Sequence, residues 1–266
     1  MQMQLTLRLP LLRLGAGGWL LVGIAACAGD VTEESVLSGS RDTWAQAREE
    51  AAVESARSLA EQGDADADAR EAAVESDRVL AEQGDAGARG RLGEAYYLGD
   101  GVALDLGEAV RWARLAAEQG DARGQGVLAA AYNTGNGVAL DFGEAVRWAR
   151  LAAEQGDAGG QAVLGGAYRN GRGGVARDFG EAARWYRLAA EQGNASAQVF
   201  LGTMYMSGQG VERDNVSAYM WMTLGASGRG IGGVREALDM LAKFMTPEQI
   251  AEAEARARDW EGSEGT

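Results

Sequence analysis

The sequence predicts an all-α solenoid of helix-turn-helix repeats, and three observations carry that prediction. Glu-Gln-Gly-Asp begins at Glu61, Glu82, Glu118 and Glu154, and Glu-Gln-Gly-Asn at Glu191, giving spacings of 21, 36, 36 and 37 residues. A period near 36 is that of one helix pair, which buries its apolar face only by stacking on the next pair. Superposing residues 85–120, 121–156, 157–193 and 194–229 then aligns Leu92, Leu128, Leu164 and Leu201; Tyr96, Tyr132, Tyr168 and Tyr205; and Trp112, Trp148, Trp185 and Trp221. Finally, the 266-residue chain holds 40 Gly and only two Pro. That glycine content is about twice the usual share of roughly 7%, and it recurs where helices would end.

The first 26 residues contain no acid, carry Arg8 and Arg13, and continue into an apolar run from Leu14 to Ala26. This is the pattern of a secretory signal, too short for a spanning helix of about 20 apolar residues. Ile24-Ala25-Ala26-Cys27 resembles the bacterial lipobox, in which the cysteine becomes the lipidated first residue of the mature chain. Ala26-Cys27-Ala28 also satisfies ordinary signal cleavage, which would discard Cys27 and release a soluble periplasmic or secreted protein. Lipidation is the preferred expectation, because the only cysteine in the chain stands where that chemistry needs it. Residues 28–41 are small, polar and acidic and read as a tether. Residues 50–65 and 71–86 agree at 14 of 16 positions, but 21 residues leave no room for a partner helix. The segments 42–62 and 68–83 are therefore expected to be two antiparallel helices of an atypical N-terminal cap spanning 42–84.

In each of the four units the first helix, for instance 122–134, places Leu128 and Tyr132 on one face. It ends at a Gly-x-Gly turn, the pairs being Gly99/Gly101, Gly135/Gly137, Gly171/Gly173 and Gly208/Gly210. The extra Gly174 lengthens the third turn. The second helix opens with Asp105-x-x-Glu108, Asp141-x-x-Glu144 or Asp178-x-x-Glu181, the spacing of a capping box. Ala109, Trp112, Ala113 and Ala116 then form its packing stripe. The C-terminal segment 231–266 is expected to be capping helices. Thr246, Pro247 and Gln249 predict a helix over 247–260.

These residues resemble the Sel-one-like repeat family, relatives of tetratricopeptide repeats. The resemblance rests on Ala-x-small-Gln-x-x-Leu-Gly-x-x-Tyr, Gly-x-Gly-Val-x-x-Asp, Ala-x-x-Trp and Ala-Ala-Glu-Gln-Gly, repeated four times over residues 85–230. It implies a right-handed α/α solenoid and an adaptor role in signalling, envelope regulation, polysaccharide export or host interaction. Disulfide-stapled members differ from this chain, whose single cysteine allows no such bridge.

Composition excludes much else. With no His, one Cys and one Lys (Lys243), nucleophile–His systems, Cys/His zinc sites and a Walker A loop lack their residues. A net charge of −14 from 25 basic and 39 acidic residues repels nucleic acid. No cofactor or metal is expected. Asp64, Asp66, Asp68 and Glu75 have calcium-loop spacing, but Ala69 replaces the glycine of its sharp turn, so they read as a solvated acidic linker. Gly228-Arg-Gly230-Ile-Gly232-Gly233 lacks the strand a dinucleotide fingerprint needs and reads as a turn. Asn194 and Asn215 fit a glycosylation sequon but read as helix caps. Arg114/Glu118, Arg150/Glu154 and Arg187/Glu191 read as exposed ion pairs four residues apart.

A recognition surface is sought where the scaffold leaves positions free. On the first helices these are Tyr97 and Leu98, Asn133 and Thr134, Arg169 and Asn170, and Met206 and Ser207, with Glu94 and Thr203 one turn earlier. Stacking would align them into a ladder. The expected function is a non-catalytic scaffold of the cell envelope, binding a protein or peptide partner along this inner surface and held to the membrane through Cys27. Two rivals are a cell-wall ligand sensor or hydrolase-like enzyme using paired groove carboxylates, with Arg169 holding an anionic group, and a structural lipoprotein bridging membrane and wall.

Overall fold

The computed structural model describes residue 63, residues 65–226 and residues 233–264. All fall in the compact unit Glu61–Thr266. The signal segment 1–26, Cys27, the tether, the first cap segment 42–62, Asp64 and the turn 227–232 lie outside the described residues. Among the described residues the backbone forms helices and no strand: α1 (65–82), α2 (Ala86–Leu98), α3 (Leu106–Ala117), α4 (Ala122–Thr134), α5 (Phe142–Glu154), α6 (Ala158–Asn170), α7 (Phe179–Ala190), α8 (Ala195–Ser207), α9 (Asn215–Ala226), α10 (Val234–Ala242) and α11 (Pro247–Glu264). The chain is an α/α solenoid. No described helix is long and apolar enough to cross a membrane.

Every unit is closed in the same way. Asp85, Asp121, Asp157 and Asn194 cap the first helices, each side chain accepting the N–H of the residue three positions on, at 2.7–3.0 Å. Each first helix ends on a left-handed glycine. The chain then turns back until the backbone N–H of Asp105, Asp141, Asp178 or Asp214 donates to the carbonyl of Tyr96, Tyr132, Tyr168 or Tyr205, at 2.9–3.1 Å. That bond ties the start of the second helix to the end of the first.

It also changes the capping box. Asp105 accepts from Gly107 and Glu108 N–H, both at 3.0 Å, but its own N–H is already taken by Tyr96. Glu108 therefore has nothing to reciprocate and pairs with Arg111 at 2.7 Å, as Glu144 does with Arg147 and Glu181 with Arg184. Each of these arginines lies over the next residue's indole, 4.0–4.2 Å from its centre. Among the described residues the full reciprocal box forms only ahead of α11, where Thr246 N–H donates to Gln249 Oε1 at 2.9 Å and Gln249 N–H to Thr246 Oγ1 at 3.3 Å. In the fourth unit Asn194 is a cap, but Asp214, not Asn215, caps α9 through Val216 and Ser217 N–H.

The core repeats with the sequence. Leu92, Leu128, Leu164 and Leu201 are 0–1% exposed, and the last three cluster with the alanines of the preceding unit's second helix. Polar contacts tie the helices within units and join neighbouring units. Gln155 and Gln192 donate to the buried Gln125 and Gln161, both at 2.8 Å. The expected Arg114/Glu118 and Arg187/Glu191 pairs give way to bonds from Arg114 to the hydroxyl of Tyr132 at 3.3 Å and from Arg187 to that of Tyr205 at 2.6 Å, in the following unit. A tyrosine hydroxyl on the adjacent helix lies closer to hand than a flexible exposed carboxylate.

At the N-terminal end, α1 begins before position 68 and fills the place of a second helix. Its Arg78 donates to Tyr96 at 3.0 Å, as Arg114 does to Tyr132. Asp66 and Asp68 are thus helical, and no cluster of three or more His, Cys, Asp or Glu among the described residues could hold a metal ion. At the other end, α11 packs on α9 through Ala253, Ala257 and an edge-to-face pair of Trp221 and Trp260, 5.1 Å between ring centres.

Candidate functional site

A groove of about 990 Å³ runs along the first helices and draws its walls from all four units. Of the sequence candidates, Glu94, Tyr97, Asn133, Arg169 and Asn170 line it, with Leu98. Thr134 stands at its edge, where its hydroxyl donates to Ala130 O at 2.8 Å and lies 3.4 Å from that of Tyr97. Asn136 also donates to the Tyr97 hydroxyl, at 3.4 Å, so this tyrosine is held from the next unit's turn.

The ladder does not continue into the fourth unit. Thr203 turns its hydroxyl back onto Val199 O at 2.9 Å, and Ser207 donates to Thr203 O at 2.9 Å. Met206 packs in an apolar cluster with Met222, Val234 and Leu241, beneath α10. The C-terminal cap covers the position that the repeat leaves free.

The structure adds residues that the free-position argument passes over. Asp121 and Asp157 reach the groove from their capping positions. Burial pushes the Asp157 carboxyl above its ordinary range, against the pull of the Gly160 N–H, and the charge of Glu94 pushes the same way. Glu94 forms an ion pair with Arg123. Towards the fourth unit the walls become aromatic and cationic: Arg169 lies over the Phe200 ring, 4.3 Å from its centre, and Arg172 over Phe142 at 4.8 Å. Tyr186, whose hydroxyl burial raises to about 12, stands 5.2 Å from Phe200 between ring centres. The signal was present in the sequence as departures from register. Tyr186 takes the place of Ala113 and Ala149, and Phe200 that of Val127 and Val163.

Geometry explains why the groove widens there. Gly90 and Gly126 each face the cap of the next unit so closely that a methyl group would overlap the carboxylate of Asp121 or Asp157. At the third repetition Ala162 replaces the glycine and Asn194 the capping aspartate. Accordingly α2 packs on α4 and α4 on α6, while α6 and α8 make no comparable contact. The space between them admits Tyr186 and Phe200.

The Sel1 repeat pattern matches residues 87–121, 122–157, 158–194 and 195–228, together more than half of the chain. The chain belongs to the Sel1 repeat family. Sel1 repeats generally mediate protein–protein interaction, and the family is typified by non-catalytic scaffolds. Among solved structures, the chain is similar to a Sel1 repeat protein from Oxalobacter formigenes, at 35% identity and a TM-score of 0.48, over 65% of this chain and 49% of that one. It is also similar to c5321, a protective antigen of uropathogenic Escherichia coli strains with an SLR fold, at 28% identity and 0.44, over 72% and 56%. A third, a putative Sel1 repeat protein from Klebsiella pneumoniae, matches at 21% identity and 0.41, over 64% of this chain and 99% of that one. The chain thus spans about half the length of the first two. No curated protein matches it.

Proposed function

We propose that this Sel1 repeat chain is a non-catalytic scaffold of the bacterial cell envelope, exported and anchored through a lipid on Cys27, that docks an extended segment of a partner protein in the first-helix groove. The observation that carries this reading is the groove itself. Its 990 Å³ lies along the four successive first helices, and its walls change character from unit to unit. Such a surface suits a chain whose side chains differ along its length. The groove carboxylates support scaffolding over turnover, because Asp121 and Asp157 are committed to helix caps and Glu94 to Arg123.

Cross-linking and affinity capture from envelopes test the groove. A Tyr97→Ala, Asn133→Ala, Arg169→Ala variant with unchanged circular dichroism should lose a partner that the wild type captures. Equal capture by both proteins would remove docking from the groove, and capture of nothing by either would turn attention to cell-wall fragments. Metabolic fatty-acid labelling tests the anchor. Label is expected on the wild type and absent from Cys27→Ser, and an unlabelled wild type would leave ordinary cleavage as the route.

A further inference from the structure

We infer that the groove between α6 and α8 is a carboxylate-binding subsite, in which Arg169 and Tyr186 hold an acidic side chain of the docked segment. The inference rests on the groove being a peptide-docking surface and specifies what one end of it recognises.

Three residues that break the repeat converge here. Arg169 stands where the other units have Tyr97, Asn133 and Met206, Tyr186 where two have alanine, and Phe200 where two have valine. They meet at the joint that Ala162 holds open. Phe200 fixes the guanidinium of Arg169 by its face, at 4.3 Å from the ring centre. A stacked guanidinium keeps its N–H groups free at the edge, in the fork that matches a carboxylate.

Burial without a polar partner sets this arginine apart. Acids outnumber bases 39 to 25, and Arg111, Arg147 and Arg184 each hold a glutamate. Arg169 is half-buried, yet its guanidinium makes no ion pair or hydrogen bond to any described residue. Arg172, at the same end of the groove, has no carboxylate partner among the described residues either. Tyr186, at the groove wall, is 1% exposed; its hydroxyl lies beside Gly166 and likewise has no described hydrogen-bond partner. Stacking thus holds two kinds of donor in a partly desolvated cleft, with the acceptor left to come from outside. The groove continues from this subsite along α4 and α2, so we assign it to an Asp or Glu side chain of the docked segment.

Selection of a random peptide display library on the full chain, purified in detergent, tests the inference. Bound peptides should be enriched in Asp and Glu relative to the input. Replacing the enriched acid by Gln or Asn in one synthetic peptide should weaken binding on the order of ten-fold, and Arg169→Ala should do the same. The two changes together should cost no more than either alone, because they remove the same contact. Tyr186→Phe, which keeps the packing, should weaken binding several-fold. Enrichment without acids, or losses that multiply, would overturn the carboxylate subsite while leaving the groove reading intact. Displacement of the peptide by inorganic phosphate beyond the effect of chloride at equal ionic strength would assign the arginine to a phosphate and overturn it as well. No enrichment at all would remove the groove reading and this inference together.

Discussion

Glycine does two different jobs in the Gly-x-Gly turns. Gly135 ends α4 at φ +77°, and a methyl group there would find Leu140 at a comfortable 3.6 Å. Gly137, at φ +73°, presses against the carbonyl of Leu106 at the start of the previous second helix, and a methyl group would overlap it. Gly135→Ala should therefore cost only the left-handed conformation, about 1–2 kcal/mol. Gly137→Ala adds a clash with backbone that cannot rotate away and should cost at least about 1 kcal/mol more. Urea unfolding of the two variants decides this, and equal losses would refute the distinction. Asp157 offers a second test. Its folded-state carboxyl is raised, chiefly by burial, so the fold holds the proton more tightly than the unfolded chain does. The charged form costs stability above the folded value, and that cost fades as pH falls towards the ordinary value of 3.8. Asp157→Asn keeps the cap, as Asn194 does in the next unit, and should melt higher than wild type at neutral pH with the gain vanishing in acid. Asp157→Ala should lose about 1 kcal/mol of capping at neutral pH. A gain for Asp157→Asn that persisted in acid would show that burial of charge is not its source.

At the level of elements, helix identity was readable because each unit repeats its own punctuation. Leu128, Tyr132 and Gly135 place α4 without reference to any other helix. Readings that failed were those in which one helix supplies what another was expected to supply. Arg114 bonds to Tyr132 of the next unit instead of Glu118, and Met206 is covered by α10, neither of which a spacing rule within one helix can see. The open joint between α6 and α8 rests on a single methyl group, Ala162 in place of glycine, and its meaning appears only when the facing cap is known. The same logic predicts the effect of Gly126→Ala. The new methyl would overlap the Asp157 carboxylate and should force α4 and α6 apart, at about 1–3 kcal/mol, against roughly 1 kcal/mol regained from helix propensity. Net destabilisation in urea, with faster amide exchange at the start of α6, is the expected result. Unchanged exchange there would mean that the joint yields without cost.

For the molecule as a whole, the excess of acid sets two responses to salt that run in the same direction. A net charge of −14 opposes compaction through repulsion over distances longer than any single ion pair. Raising ionic strength from about 0.01 M to 0.15 M shortens the screening length from roughly 30 Å to 8 Å. This removes much of the long-range repulsion but little of the attraction between groups in contact. The Glu–Arg pairs of the second helices are partly exposed and worth at most about 1 kcal/mol each, so their weakening should not offset the relief. The melting temperature is thus expected to rise with salt, by about 2–4 °C for each kcal/mol gained. Affinity for an acidic peptide should rise over the same range, because long-range repulsion by the net negative chain is screened while the contact with Arg169 in a partly desolvated cleft is screened little. A melting temperature that fell with salt would show that local pairs outweigh the net charge. An affinity indifferent to salt would mean that the groove recognises shape and apolar surface in place of charge.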